Sequence, residues 1–108
     1  MGTFFAAQLA AKQMLKQGTP GSIALIASIC AHQAVPGHKL SGYHASKGAV
    51  LMLARALAVE LAPQNIRVNS ISPGYIESDM TVKLREQHPH LVEIMHKVCS
   101  SQCRLVVC

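Results

Sequence analysis

The segment Ser22–Ser28, SIALIAS, constrains the fold of this chain more than any other stretch. It is a short apolar run, bounded by Gly21 on one side and by a polar residue on the other. Its length and unbroken hydrophobicity are typical of a strand that is buried on both faces, as the strands of parallel sheets are. The sequence therefore predicts a parallel sheet with this strand inside it.

Helical patterns precede and follow this strand. Residues 3–17 are mostly good helix formers, and Gly18 and Pro20 follow them as typical stop signals. A second and longer helical pattern runs from about Tyr43 to Leu61 and ends before Pro63. Two helices are therefore predicted, one on each side of the strand in the sequence.

A second strand is predicted at Ile66–Ser72, IRVNSIS, where β-branched and polar residues alternate before the turn at Pro73 and Gly74. Residues 29–42 are predicted as a surface loop, because they contain a proline, a glycine and two histidines. The order helix, strand, helix, strand with short connections is half of a doubly wound parallel sheet. The predicted fold class is therefore α/β.

The pattern weakens after Gly74, where one or two short helices are expected with a break at Pro89. A chain of 108 residues lies near the lower end of the usual domain range, so we expect one domain at most, and residues 1–98 are assigned to it as part of a doubly wound domain. Residues 99–108, CSSQCRLVVC, are interpreted as a divergent tail.

Composition excludes several classes of protein. Half of the residues are hydrophobic and 14% are charged, which is too apolar for a disordered chain. The net charge is +5, but the ten Lys and Arg residues are spread along the chain and form no basic patch. The longest purely apolar stretch, Gly48–Ala54, is far shorter than the ~20 residues needed to span a bilayer. We therefore expect neither a nucleic acid nor a membrane as a partner.

The four cysteines show no CxxC spacing, and the N-terminus does not resemble a signal peptide. These features predict a cytoplasmic, reducing location. His96, Cys99 and Cys103 have a spacing that a helix can bring together, but irregular terminal cysteines are the commoner interpretation, and we expect no metal.

Tyr43 and Lys47 stand at the head of the long helix, in SGYHASK. Residues four apart face the same side of a helix, so a phenol and an ammonium group can share one pocket. A phenol is a poor acid or base at neutral pH, because its reference pKa is about 10. A nearby cation in a partly desolvated site stabilises the phenolate and makes the hydroxyl useful for proton transfer. The alternative is a helix that merely begins with polar residues and a solvated lysine.

Ser28 lies at the C-terminal end of the first predicted strand, and Pro73 and Gly74 follow the second. Open α/β sheets bind ligands beyond the carboxyl ends of their strands, so these residues should frame one site. A serine there can hydrogen-bond a carbonyl oxygen while a tyrosine donates a proton to it and a hydride reaches the carbon. The alternative is a serine that satisfies only the backbone.

Together these stretches resemble the C-terminal half of a short-chain dehydrogenase/reductase. The likeness rests on GSIALIAS with Ser28, on YHASK with Tyr43 and Lys47, and on NIRVNSISPGYIESDM from Asn65 to Met80, and it covers about residues 3–81. YxxxK alone is a weak signal, whereas its combination with a strand-ending serine and RVNSISPG is specific. The long spacing from Ser28 to Tyr43 is similar to that of fungal members that reduce sugars and polyols.

This resemblance implies a partial Rossmann-like fold and the NAD(P)-dependent interconversion of a secondary alcohol and a ketone. Tyr43 would be the general acid/base, and Ser28 would position the substrate oxygen. Lys47 would bind the nicotinamide ribose and stabilise the phenolate of Tyr43, which would itself contact the cofactor. The cofactor would be NADP or NAD, with NADP preferred, and the partner a small-molecule alcohol or ketone.

The stretch PGYIESDM would supply further contacts to the cofactor by the same resemblance. Pro73 and Gly74 would shape the turn under the nicotinamide, and Ile76 would bind its carboxamide through the backbone. Ser78 stands where the family usually has a threonine, and it keeps the hydroxyl. Tyr75 is expected as a wall of the substrate pocket.

The resemblance also implies parts that these 108 residues do not contain. A glycine-rich dinucleotide fingerprint and an asparagine just ahead of Gly2 belong upstream. We therefore expect a chain that is truncated at the N-terminus and inactive in isolation. The alternative is a non-catalytic remnant that acts at most as an interaction or oligomerisation fragment.

Beyond Lys47, the predicted helix 43–61 carries only Arg55 and Glu60 as charges, so it is apolar on more than one face. One face would cover the sheet. In the family that the chain resembles, the other face meets the same helix of a second subunit, together with the helix at 3–17. A homo-oligomer is therefore implied.

Overall fold

The computed structural model describes residues 2–37, 39–76, 78–90 and 92–94. The elements follow one another in the order helix α1 (Gly2–Gln17), strand β1 (Gly21–Ile26), a 3₁₀ helix (Ile29–Ala31), helix α2 (Ser41–Leu61), a 3₁₀ helix (Ala62–Gln64), strand β2 (Ile66–Ile71) and helix α3 (Asp79–Gln87). The predicted α/β fold is confirmed, and so is the predicted order of its first four elements.

β1 and β2 form a parallel pair, in register from Gly21 opposite Ile66 to Ile26 opposite Ile71. The predicted parallel pairing is therefore confirmed. Both strands end earlier than the sequence predicts, because the chain leaves the ladder as it approaches the residues of the candidate site.

Backbone hydrogen bonds continue past the regular strands. The Ala27 N–H donates to the carbonyl oxygen of Ile71 at 2.8 Å, and the Ile29 N–H donates to that of Pro73 at 3.1 Å. These two bonds hold the segments that follow β1 and β2 side by side. Residue 28 is thus fixed between two bonded neighbours.

Both long helices pack on one face of the sheet. The core is a single cluster of buried aliphatic side chains from α1, β1, α2 and β2, namely Ala7, Ala11, Ile23, Leu25, Ala54, Ile66 and Val68. Alanines at the contacts let α1 and α2 approach the strands closely. Burial of such side chains is the main favourable term in folding.

The expectation that β1 is buried on both faces is wrong for the described chain. Ile23 and Leu25 are buried, whereas Ser22, Ala24 and Ile26 on the opposite face are exposed, Ile26 by 54%. The physical reason is that α1 and α2 cover the same side of the sheet. A continuous apolar run therefore does not reveal how many faces are covered.

Two glycines fix the turn from α1 into β1. Gly18 ends α1 in the left-handed region with φ +64°, as the predicted stop signal requires. A Cβ on Gly21 would collide with the Met14 side chain. A larger residue there would require the flexible Met14 side chain, in the last turn of α1, to move away from the start of the strand.

Helix α2 begins at Ser41, two residues before the predicted start, and ends at Leu61 as predicted. The predicted loop at 29–42 contains the short 3₁₀ helix Ile29–Ala31. Helix α3 ends before Pro89, which confirms the predicted break. The tail at 99–108 lies outside the described residues, together with His96.

None of the helices within the described ranges combines the length and the apolar character that crossing a membrane requires.

Candidate active site

The carboxyl ends of both strands and the first turn of α2 meet around a cleft of about 790 Å³. The predicted site residues that line it are Ser28, Tyr43, Gly74, Ile76 and Ser78. Lys47 and Pro73 do not line it, but Lys47 hydrogen-bonds the last residue of β1 and Pro73 hydrogen-bonds Ile29, which does line it. The sequence-predicted residues are therefore brought together at one place, although they come from three separate segments.

Ser28 follows β1 and is 7% exposed. Its Oγ accepts a hydrogen bond from the Cys30 N–H at 3.2 Å and so caps the short 3₁₀ helix. The expected alternative, a serine that serves the backbone, is thus part of its role. A hydroxyl is both a donor and an acceptor, however, so accepting this bond leaves the hydroxyl hydrogen available to a ligand in the cleft.

Tyr43 is the third residue of α2, and its side chain is 44% exposed where it lines the cleft. Because α2 starts at Ser41, the tyrosine sits in the first turn of the helix and faces the strand ends. A partly exposed phenol at this position is accessible to a small ligand.

Lys47 lies one helical turn after Tyr43. Its ammonium group donates a hydrogen bond to the carbonyl oxygen of Ile26, the last residue of β1, at 3.0 Å. The same nitrogen is 5.9 Å from the centre of the Tyr43 ring, at the edge of the range for cation–π attraction. The ammonium group therefore lies near the Tyr43 ring without lining the cleft, and it joins α2 to the end of β1.

The turn after β2 forms the wall opposite Ser28. Pro73 accepts the hydrogen bond from Ile29 through its carbonyl oxygen. Gly74 lines the cleft, and a Cβ placed on it would be in ordinary van der Waals contact with the Ile29 side chain. Ile76 also lines the cleft, and its side chain is 64% exposed.

Ser78 has a structural task that the sequence analysis did not identify. It is the N-terminal cap of α3, where its Oγ accepts from the Thr81 N–H at 3.4 Å and its own N–H donates to Thr81 Oγ1 at 2.7 Å. Thr81 lines the cleft as well. The Ser-x-x-Thr spacing is the sequence signal that identifies this reciprocal cap.

His44 is a second residue whose structural role the sequence analysis did not identify. Its Nδ1 is 2.7 Å from the carbonyl oxygen of Leu40, and its Nε2 is 3.2 Å from the backbone nitrogen of Val35. A carbonyl only accepts and an amide only donates, so Nδ1 carries the hydrogen and Nε2 accepts. The ring therefore joins the loop before α2 to the helix, directly beside Tyr43.

Another histidine bond braces the same region. His32 Nε2 is 2.9 Å from the Oγ of Ser72, which directly follows β2 and is 3% exposed. The loop after β1 is thus attached to β2 as well as to α2. Within the described residues, no group of three or more His, Cys, Asp or Glu side chains is placed to hold a metal ion.

These observations define an α/β protein that presents a tyrosine, a lysine and a buried serine at the ends of two parallel strands. The family model described as enoyl-(acyl carrier protein) reductase matches residues 1–102. Among solved structures, the short-chain type dehydrogenase/reductase from Mycobacterium marinum matches with a TM-score of 0.73 at 45% identity, over 80% of this chain and 34% of that one. The chain belongs to the short-chain dehydrogenase/reductase family.

Three curated relatives show the range of that family around this chain. It is 36% identical to carbonyl reductase (NADPH) 2 from Sus scrofa, over 80% of this chain and 38% of the relative. It is 41% identical to 2-dehydro-3-deoxy-D-gluconate 5-dehydrogenase from Dickeya dadantii, over 88% of this chain and 37% of the relative. It is 49% identical to sorbose reductase sou1 from Schizosaccharomyces pombe, over 75% of this chain and 31% of the relative. The chain thus spans between 31% and 38% of the length of these relatives.

Replacement of His44 tests whether its ring holds the loop. In His44→Ala the amide of Val35, a residue that is 4% exposed, loses its acceptor, so we expect about 1–3 kcal/mol lower stability. Hydrogen exchange at the Val35 amide should accelerate by at least about fivefold, because a broken hydrogen bond of about 1 kcal/mol has that effect.

The matched control is His88→Ala, which removes an exposed imidazole and should leave exchange at Val35 unchanged. His44→Gln, whose amide oxygen can accept in place of Nε2, should recover part of the protection. Unchanged exchange at Val35 in His44→Ala would show that the ring does not hold the loop.

Proposed function

We propose that this chain carries the acid–base site of a cytoplasmic, NAD(P)-dependent oxidoreductase that interconverts a secondary alcohol and a ketone. The observation that supports this most strongly is the convergence of Ser28 and Tyr43 on one cleft, with the Lys47 ammonium one helical turn behind the tyrosine. Family membership supports the same reaction class. The fixed strand ends hold the two hydroxyl groups against a common wall.

In the direction of reduction, Ser28 donates a hydrogen bond to the ketone oxygen and orients it toward Tyr43. Tyr43 donates its phenolic proton to that oxygen, which becomes the alcohol hydroxyl. The positive charge of Lys47 stabilises the phenolate that remains. When bound, the nicotinamide cofactor supplies the hydride to the carbonyl carbon, and oxidation follows the same path in reverse.

The residues of the cleft fit the nicotinamide end of such a cofactor. A nicotinamide ring needs an apolar wall and a few hydrogen-bonding groups for its carboxamide, and Ile29, Ile76 and Ser78 all line the cleft. The backbone of Ile76 and the turn at Pro73 and Gly74 are the groups we propose for the carboxamide and the ring.

Lys47 retains ammonium hydrogens beyond the one that it donates to Ile26, so it can also bind a ribose hydroxyl together with Tyr43. We propose NADP as the preferred cofactor and NAD as the alternative. The name of the carbonyl reductase relative, which includes NADPH, supports this preference.

A sugar- or polyol-like substrate is the finer proposal. The names of two relatives support it, because one is a reductase of sorbose and the other is a dehydrogenase of a sugar acid. The cleft is also suited to a hydroxylated molecule, because Ser28 and Tyr43 line it and each carries a hydroxyl group that can hydrogen-bond a ligand.

The alternative, a non-catalytic interaction fragment, is less well supported because the cleft keeps its acid–base residues. The apolar surfaces that motivated it support a homo-oligomer through helices 3–17 and 43–61 instead. On α1, Phe5 is 51% and Leu9 is 66% exposed, and on α2, Met52 is 60% and Val59 is 77% exposed. Several large apolar side chains exposed on neighbouring helices are typical of a protein–protein interface.

Substitution of Tyr43 in the full-length protein tests the proposed reaction. Tyr43→Phe should lower kcat by about 10²- to 10⁴-fold, because the proton donor is lost while the ring remains. Tyr75→Phe removes the same group from the other tyrosine of the cleft and should retain at least about a tenth of kcat. Equal losses in both variants, measured by NAD(P)H absorbance with a ketose, would contradict the assignment.

Charged substitutions on the apolar helix faces test the oligomer. Leu9→Glu and Met52→Glu should convert the full-length protein into smaller species in sedimentation velocity, because an unpaired carboxylate is costly to bury. Val82→Glu on α3, where the valine is 38% exposed, is the control and should leave the assembly intact. A wild-type protein that sediments as a monomer at high concentration would contradict this proposal.

A further inference from the structure

The cleft carries an uneven set of ionisable groups. Lys39, His88 and His90 line it, and among the lining residues that the structure describes there is no aspartate or glutamate. The catalytic proposal uses none of these three. Nitrogen donors without a balancing carboxylate create a site that favours an anion.

The three residues come from two segments that touch. Lys39 lies in the loop before α2, and the histidines follow α3. A Cβ on Gly37, two residues before Lys39, would come within 2.7 Å of the Ile94 side chain, so the loop packs against the segment after α3. The rings of His88 and His90 are 5.7 Å apart and meet edge to face.

All three side chains are exposed to solvent within the cleft. No hydrogen bond or ion pair of the Lys39 ammonium group occurs with the part of the chain that the structure describes. The nearby acidic residues are Asp79 and Glu86 on α3 and Glu93 in the segment after it, and none of the three lines the cleft. The ammonium group is therefore available to a ligand.

We propose that the substrate carries an anionic group, a carboxylate in the first instance, at the end remote from its reacting carbon, and that Lys39, His88 and His90 bind this group. The inference rests on the proposed function, because it assumes that the reacting carbon lies at Tyr43. A lysine offers three donors and each imidazole at least one N–H, whatever its protonation state. The substrate class is then a hydroxy or keto acid of sugar type.

A cofactor phosphate is the other possible source of negative charge. Neither the loop that contains Lys39 nor the segment with the histidines belongs to the stretch 73–78 that we propose for the nicotinamide. Because the three groups come from other segments of the cleft lining than the proposed nicotinamide site, we infer that the substrate is the source of the anion.

Binding measured without cofactor tests the proposal in the full-length protein. D-Gluconate and D-glucitol share a six-carbon hydroxylated skeleton and differ in a carboxylate. We expect gluconate to bind at least about threefold more tightly in low salt, and Lys39→Gln to weaken it about three- to fivefold, as exposed ion pairs do. Affinity for glucitol should not change, and raising the salt concentration should reduce the preference for gluconate.

Lys83→Gln is the matched control, since Lys83 is exposed on α3 and does not line the cleft. The triple variant Lys39→Gln, His88→Gln, His90→Gln should abolish the preference for gluconate. Equal affinities for gluconate and glucitol in the wild type, no binding of either, or an equal effect of Lys39→Gln and Lys83→Gln would overturn the proposal.

Two further measurements separate this proposal from a cofactor-binding role of Lys39 and from the proposed function itself. A loss of NADPH affinity in Lys39→Gln as large as the loss for gluconate would assign the lysine to the cofactor and overturn the proposal. The preference for gluconate is measured without cofactor, so it does not depend on hydride transfer. A protein that prefers gluconate but transfers no hydride would therefore refute the proposed function and leave the anion site standing.

Discussion

The parallel pairing of β1 and β2 determines where every candidate residue of this chain lies. The register carries both strands to a common end, and the bonds from Ala27 to Ile71 and from Ile29 to Pro73 extend the pairing past it. Ser28 lies between these bonds, so its hydroxyl is held beside the turn that follows β2. In open α/β sheets this edge is where ligands bind.

Lys47 fixes the position of α2 relative to these strand ends. Its bond to the Ile26 carbonyl joins the first turns of α2 to the end of β1, and Tyr43 lies one turn before it. The lysine thus has two tasks, since it positions the helix and places a positive charge near the phenol. His44 restrains the loop on the other side of the tyrosine.

The parts that sequence predicted are those that local patterns determine. Short apolar runs predict the strands, and Gly18 predicts the end of α1. The period of a helix predicts that Tyr43 and Lys47 lie close together. The prediction that β1 is buried on both faces was wrong, because the number of covered faces depends on where helices distant in sequence pack. The His44 bonds were missed because they depend on the path of the loop at Val35, which no periodicity encodes.

The central claim is that this cleft transfers a proton to a ketone oxygen while a hydride reaches the carbon. The most direct test supplies the full-length protein with NADPH deuterated at the transferable position of the nicotinamide and with a ketose, and examines the product by deuterium NMR. The account predicts deuterium on the carbon that carried the ketone. Absence of deuterium from that carbon, under conditions where both NADPH and the ketose bind, would contradict it.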